Sequence, residues 1–367
     1  MKYLFSIIIF LHAAIHLMGF AKGFKLAQIQ SLSSEISVTS AIFWFVAFAL
    51  FVISAIGFLF ERNFWLVFAV FAVVISSVLI ISTWSDAKFG IIPNLIILVV
   101  VVISFSSLSM KKMITRETHG ILSGIDSSES KIITDTDVNE LPTPVYKWIQ
   151  NTGMIGKPVI QSAYVKQKAL MKMKPEQKDW KPAKAEQFTV MDVPAFIWTV
   201  NMNIAPFIKI KGRDKFVNGK GEMLVKMNSL INVVNEKGEH MDKGTLQRYL
   251  GELVWYPSLA LSPYISWETI DEFSAKATMN YNGTSGNGTF YFDEKGDFIK
   301  FITLRFKGNE AEAKRYPWIL TVDDYAVFEG IKVPSKMKAT WKLEEGDWTW
   351  LDLEITDIKY NIKTIIN

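Results

Sequence analysis

The sequence predicts an α+β membrane protein, with an N-terminal four-helix transmembrane bundle followed by a curved antiparallel β half-barrel wrapped around a central helix. Three features carry this expectation. Charge is nearly absent before Met110, where only Lys2, Lys22, Lys25, Glu35, Glu61, Arg62, Asp86 and Lys88 are ionic. Four apolar runs lie within that stretch. Beyond about residue 140 the chain alternates apolar and polar residues in short segments, interrupted by one helical pattern.

The apolar runs span Tyr3 to Phe20, Ala41 to Phe60, Phe64 to Trp84 and Ile91 to Met110. Each is near the ~20 residues a helix needs to cross the hydrocarbon core, and a helix satisfies its own backbone groups there. The first run lacks a good small-residue cleavage site and three spans follow it, so it reads as a span and not as a removed leader. Trp44, Trp65 and Trp84 sit near span ends, where amphipathic rings favour the interface. Pro93 falls in the first turn of its run, where the missing N–H costs nothing. Between the first two spans, FKLAQIQSLSSEI repeats Leu26, Ile29, Leu32 and Ile36 at helical spacing, which predicts a short helix on the membrane surface. Lys2, Arg62, Lys111, Lys112 and Arg116 on the N-terminal side, against Lys22, Lys25 and Lys88 opposite, place the soluble part in the cytoplasm of a multi-pass bacterial inner-membrane protein.

Residues 111–138 are polar and almost without aromatics, as in SGIDSSESKIITDTD, and read as a linker between a membrane domain at 1–110 and a soluble domain at 139–367. LPTPVYKWIQNTG then predicts a helix that buries Val145, Trp148 and Ile149 and stops at Gly153. Asn218-Gly219 predicts a tight hairpin in KFVNGKGEMLVKM. DKGTLQRYLGELVWYP predicts the central helix, with Thr245 as cap, Leu246, Tyr249, Leu250 and Leu253 as its apolar stripe, and Pro257 at its end. ATMNYNG, GTFYFDEKG, DFIKFITLRF, WILTVDDY, IKVPSKMKATWKL and WTWLDLEITDIKY continue as a meander, giving nine or ten strands in all. The concave face of such a sheet is filled by the helix, by side chains or by a ligand.

PAFIWTV, GRDKFVNGKGEM, LQRYLGELVWYP, SWETID and VPSKMKATW resemble an uncharacterised family of bacterial domains across about residues 140–362. The order of strands and helix is also similar to the half-barrel of the LolA and LppX lipoprotein carriers, in which a curved sheet wraps helices around an apolar cavity. HLMGFAKGF and STWSDAKFG resemble the DoxX-like four-helix membrane proteins. The carrier resemblance implies a lipid or isoprenoid ligand. Since the chain has no lipobox cysteine, its own helices would replace a lipid anchor.

Candidate chemistry is sparse. Without cysteine, disulfides, thiolate metal sites and cysteine nucleophiles are excluded. Scattered basic residues argue against nucleic acid. No catalytic motif is present, so a non-catalytic binding role is expected. His12 and His16 share one helical face in an apolar run, with Asp86 at a span end as a third polar group. They either hydrogen-bond serines such as Ser76, Ser77 or Ser104 on neighbouring helices, or contact a quinone, haem or metal in a redox component. A metal would need ligands beyond the two histidines. In the soluble part, Arg248 and Glu252 lie one turn apart. They either form a structural salt bridge or face the cavity and orient a polar head group, with Trp255 and Trp267 as apolar wall and Arg305 joining either arrangement. An assembly or stress factor acting through membrane-protein partners is the remaining alternative.

Overall fold

The computed structural model describes residues 2–125 and 131–366. It divides into two compact units, residues 1–109 and 110–367.

The first unit is four apolar helices long enough to cross a membrane. Helix α1 spans Lys2–Gly23, α2 Val38–Leu59 and α3 Trp65–Ser82; a short α4, Trp84–Ala87, and a 3-10 turn lead into α5, Ile91–Leu122. Close helix packing uses small residues, as expected where apolar contact with lipid competes with contact between helices. Gly19 lies against the Trp44 ring, and Ala13, Ala41, Ala47, Ala55, Ala69 and Ala72 are fully buried. The surface helix expected after the first span does not form. Residues 24–37 take turns instead, because Asp86 accepts hydrogen bonds from Ser33 N, Ser33 Oγ and Ser34 N at 2.7, 2.7 and 2.9 Å. Lys22 Nζ also donates to the Leu32 carbonyl. These tertiary bonds outweigh the weak local preference that the spacing expressed.

Helix α5 passes Met110, the end of the fourth apolar run, and continues into the first part of the expected linker as far as Leu122. Its end is held in the second unit by Glu117, whose carboxylate pairs with Arg213 and Lys215, both at 3.1 Å. Leu122 packs on Tyr164, Phe188 and Val190. Short α6, Asp135–Val138, and α7, Thr143–Thr152, follow; α7 stops at Gly153, whose φ of 69° is the left-handed stop that glycine permits.

Thirteen antiparallel strands make one sheet, more than the nine or ten expected. They are β1 (Ser162–Met171), β2 (Lys181–Val190), β3 (Ala195–Ala205), β4 (Ile208–Val217), β5 (Lys220–Met227), β6 (Ile231–Lys237), β7 (Ile265–Asp271), β8 (Ser274–Tyr281), β9 (Thr284–Phe292), β10 (Phe298–Phe306), β11 (Arg315–Phe328), β12 (Ile331–Leu343) and β13 (Gly346–Tyr360). Their order is β6-β5-β4-β3-β2-β1-β13-β12-β11-β10-β9-β8-β7, two meanders joined where β1 meets β13. The sheet curls into a half-barrel. Its curvature brings the β4–β5 turn near one end onto the β8–β9 turn near the other, where Thr284 Oγ1 donates to the Gly219 carbonyl at 2.8 Å. The expected hairpin at Asn218-Gly219 is present, with positive φ at both residues (52° and 74°).

Helix α8, Glu239–Gly251, and two 3-10 turns, Glu252–Trp255 and Pro257–Leu261, connect the two edge strands across the concave side. Leu246, Tyr249, Leu250, Leu253 and Val254 are buried there against the sheet. Thr245 is not the cap: the helix begins at Glu239, and the Thr245 hydroxyl bonds back to the Met241 carbonyl. His240, in the first turn of this helix, stacks on Phe306 with ring centroids 3.7 Å apart.

Glu222 on β5 is the hub of a surface ion network. Its carboxylate meets Arg213 at 3.1 Å and Lys215 and Lys237 at 3.0 Å. Partial burial pushes its pKa up, but the hydrogen bonds from Lys237 and Lys215 and the charges of Lys215 and Arg213 outweigh it and hold the group at about 2. A folded pKa below the unfolded one gives stability that is present above about pH 4.3 and lost as pH falls toward the folded value. Glu222→Gln is therefore expected to flatten the acid limb of stability between about pH 4.3 and 2. Urea melts across that range check this.

Candidate functional sites in the two units

Each unit contains a polar cluster in an apolar setting. In the membrane unit, α1, α3 and α5 each contribute to one. His12 Nε2 lies 2.8 Å from Asn94 Oδ1, and His16 Nε2 lies 2.9 Å from Ser76 Oγ. Asn94 Nδ2 donates to Ser76 Oγ at 3.0 Å and Ser77 Oγ at 3.1 Å, and His16 Nδ1 lies 2.8 Å from the His12 carbonyl. The two histidines thus bond to Ser76 and, through Asn94, to Ser77; Ser104 takes no part in these bonds. Asn94 is the member that sequence reasoning missed. Its only signal was an amide at the fourth residue of an apolar run. His12, His16 and Asp86 all line one cavity of about 350 Å³, with Trp44, Ile80 and Phe89. Among the described residues no cluster of three or more His, Cys, Asp or Glu side chains is placed to hold a metal.

In the β unit, the expected Arg248–Glu252 pair forms, with Arg248 Nε 2.7 Å from Glu252 Oε1. Arg248 also donates to Asp214 Oδ2 at 2.7 Å and Gln187 Oε1 at 3.0 Å. Gln187 Nε2 closes the ring on Glu252 Oε2 at 2.7 Å. The guanidinium plane rests 4.9 Å from the Phe196 ring and 4.8 Å from the Trp198 ring. Burial pushes the Asp214 carboxyl above its usual range, against the pull of Arg248 and Arg213. All the donors and acceptors named here are used by the protein, so this cluster is a structural ion network. Trp255 and Trp267 are likewise committed: their indole N–H groups donate to the carbonyls of Pro334 at 3.1 Å and Ala260 at 3.0 Å.

Arg305 stands apart from that pair. It projects from β10 onto the concave face, 4.3 Å above the Trp318 ring and 5.7 Å from Trp341. The register explains why. Thr303 pairs with Trp318, Trp318 with Trp341 and Trp341 with Trp348, so three tryptophans line one rung across β11, β12 and β13, with Arg305 one rung along. Lys307, two residues on, stacks 4.7 Å from Trp348. Gly244 on α8 leaves room for the guanidinium, since a Cβ there would lie 3.2 Å from Arg305 Nη2. Arg305 Nε and the indole nitrogens of Trp318, Trp348 and Trp350 are buried donors without acceptors. Burial and the like charge of Arg248 press the Arg305 guanidinium below the ordinary arginine range. Beyond this rung, Lys307, Tyr316 and Leu343 line an open groove of about 570 Å³ rimmed by Glu310, Glu312 and Glu345.

Four apolar helices and a curled thirteen-stranded sheet define a membrane-associated half-barrel protein. Residues 131–353 match the model of a family of unknown function, DUF6544, and the chain belongs to that family. Residues 6–177 match a second model, DUF2101, described as a predicted membrane protein. No curated protein matches the chain. Among solved structures it is similar to a LolA superfamily protein from Nitrosomonas europaea, at 10% identity and a TM-score of 0.33, over 62% of this chain and 91% of that one.

Proposed function

We propose that this is a non-catalytic, membrane-anchored binding protein for a lipid-class amphiphile, whose acceptor-rich head group sits at Arg305 and the neighbouring indoles. The supporting observation is the unanswered donor set inside the half-barrel: Arg305 Nε and the Trp318 and Trp348 N–H groups have no acceptor, while the nearby Arg248 is fully engaged. Buried polar groups are nearly always satisfied, and donors left without an acceptor around a guanidinium suit a carboxylate or phosphate. Indole faces and the apolar residues around them suit the attached chain. Within this reading the four-helix unit is DoxX-like and the protein lies in a bacterial inner membrane. The β unit faces the cytoplasm, which a reporter fused after Asn367 tests.

The binding claim is checked with full-length protein in amphipol, by energy transfer from tryptophan to cis-parinaric acid, with its methyl ester as control. Arg305→Met is expected to weaken binding of the acid about tenfold, roughly 1.4 kcal/mol, and to leave the ester unchanged. The same change removes a buried, unpaired cation, so thermal stability is expected to hold or rise. Equal affinity of both variants for the acid, or a destabilised Arg305→Met, contradicts the assignment.

A further inference from the structure

The geometry points to a second site, within the membrane unit and independent of the β unit, for a neutral, mostly hydrocarbon molecule that carries a hydroxyl group. The argument begins with proton bookkeeping around the two histidines. A backbone carbonyl only accepts, so His16 Nδ1 holds a proton and donates to the His12 carbonyl. Neutral His16 then accepts at Nε2 from the Ser76 hydroxyl. Because Asn94 Nδ2 donates to both Ser76 and Ser77, its Oδ1 is the atom that faces His12, and His12 Nε2 must carry the proton given to it. The two rings are therefore opposite tautomers. What remains is His12 Nδ1, a bare acceptor without a partner.

A complementary donor lies on the same cavity. Trp44 Nε1–H is also buried without a partner, and both residues are only 3% exposed. The remaining wall is mainly apolar, with Ile15, Met18, Leu32, Ile80 and Phe89 around about 350 Å³. An O–H group satisfies this pair of atoms: its hydrogen goes to His12 Nδ1 and its oxygen accepts from Trp44. A charged head finds no counter-ion beside the histidines, whose neighbours are Asn94, Ser76 and Ser77, and the one carboxylate on the cavity, Asp86, is engaged by Ser33 and Ser34. A lipid alcohol or phenol fits; a fatty acid or a phospholipid head does not.

The chain has four histidines, so nitrogen-15 histidine spectra of the detergent-solubilised protein are sparse enough to read. His119→Gln and His240→Gln remove the two outside the cluster, and the opposite tautomers separate His12 from His16. Dodecanol is expected to move the unprotonated His12 Nδ1 resonance to lower frequency and to raise the unfolding midpoint, whereas dodecane does neither. Ala87→Leu, which fills the cavity without touching the network, is expected to abolish both responses. Trp44→Phe keeps the ring and is expected to weaken the dodecanol response several-fold, which covers the case of a poorly folding Ala87 variant. A His12 resonance unmoved at saturating dodecanol, or moved equally by dodecane, overturns the assignment.

Discussion

Arg248→Met is expected to destabilise the β unit by about 3–5 kcal/mol, the cost of leaving a buried ionic partner unpaired. Methionine keeps most of the volume and the contact with Phe196 and Trp198, so packing is nearly constant. The change acts through charge. Glu252 and Asp214 each lose a 2.7 Å contact with the guanidinium, and Gln187 loses its partner at 3.0 Å. Asp214 already sits above its usual range because burial disfavours its charge. Without Arg248, both carboxylates lose their 2.7 Å ionic contact, and the charges left to act on Asp214 are those of Arg213 and Arg305. Chemical denaturation at neutral pH measures the loss, and the double variant Arg248→Met/Glu252→Gln is expected to recover part of it. A loss below about 1 kcal/mol, the value of an exposed pair, would show that water reaches the cluster. The contrast with Arg305→Met is informative, because similar removals of an interior arginine are expected to have opposite signs.

Gly221→Ala is expected to cost about 3 kcal/mol, at the upper end for overpacking a tight contact. Gly221 is where β5 meets α8. Its N–H donates to Asp242 Oδ1 at 2.8 Å, and an added Cβ would lie 2.6 Å from the Met241 carbonyl oxygen. The Thr245 hydroxyl is nearer still and is already bonded to the Met241 carbonyl. Because the obstacle is helix backbone, no side-chain rotation relieves it and α8 must retreat from the strand. Thermal unfolding should report the drop. Hydrogen exchange should localise it to Glu239–Gly251 and Lys220–Met227.

The membrane spans were legible because hydrophobicity is a local property, read within a window of one helix. What lay beyond was decided by partners distant in the chain. Helix α5 continues past Lys111 because Glu117 finds Arg213 and Lys215 and Leu122 finds Tyr164 and Phe188. The helical spacing of Leu26, Ile29, Leu32 and Ile36 misled because the carboxylate of Asp86 pins the intervening serines. The Arg248–Glu252 spacing is visible in sequence, but the commitment of Arg248 rests on Asp214 and Gln187, 34 and 61 residues away. Likewise Trp318, Trp341 and Trp348 form a row only once strand register is known. As isolated tryptophans they read as ordinary core.

The seam between β1 and β13 has a consequence for biosynthesis. Groups about 200 residues apart in the chain meet there, as Gln161 and Asn361 do. During translation the first meander is complete long before its central neighbour leaves the ribosome. Until then β1, which is destined for the middle of the sheet, exposes a ten-residue row of unpaired amides and carbonyls. Slow non-local pairing of this kind leaves a nascent chain open to mispairing. Truncations that delete the last strand should therefore yield aggregates and not shortened folded proteins, and expression should depend on holdase chaperones more than the final stability alone would require.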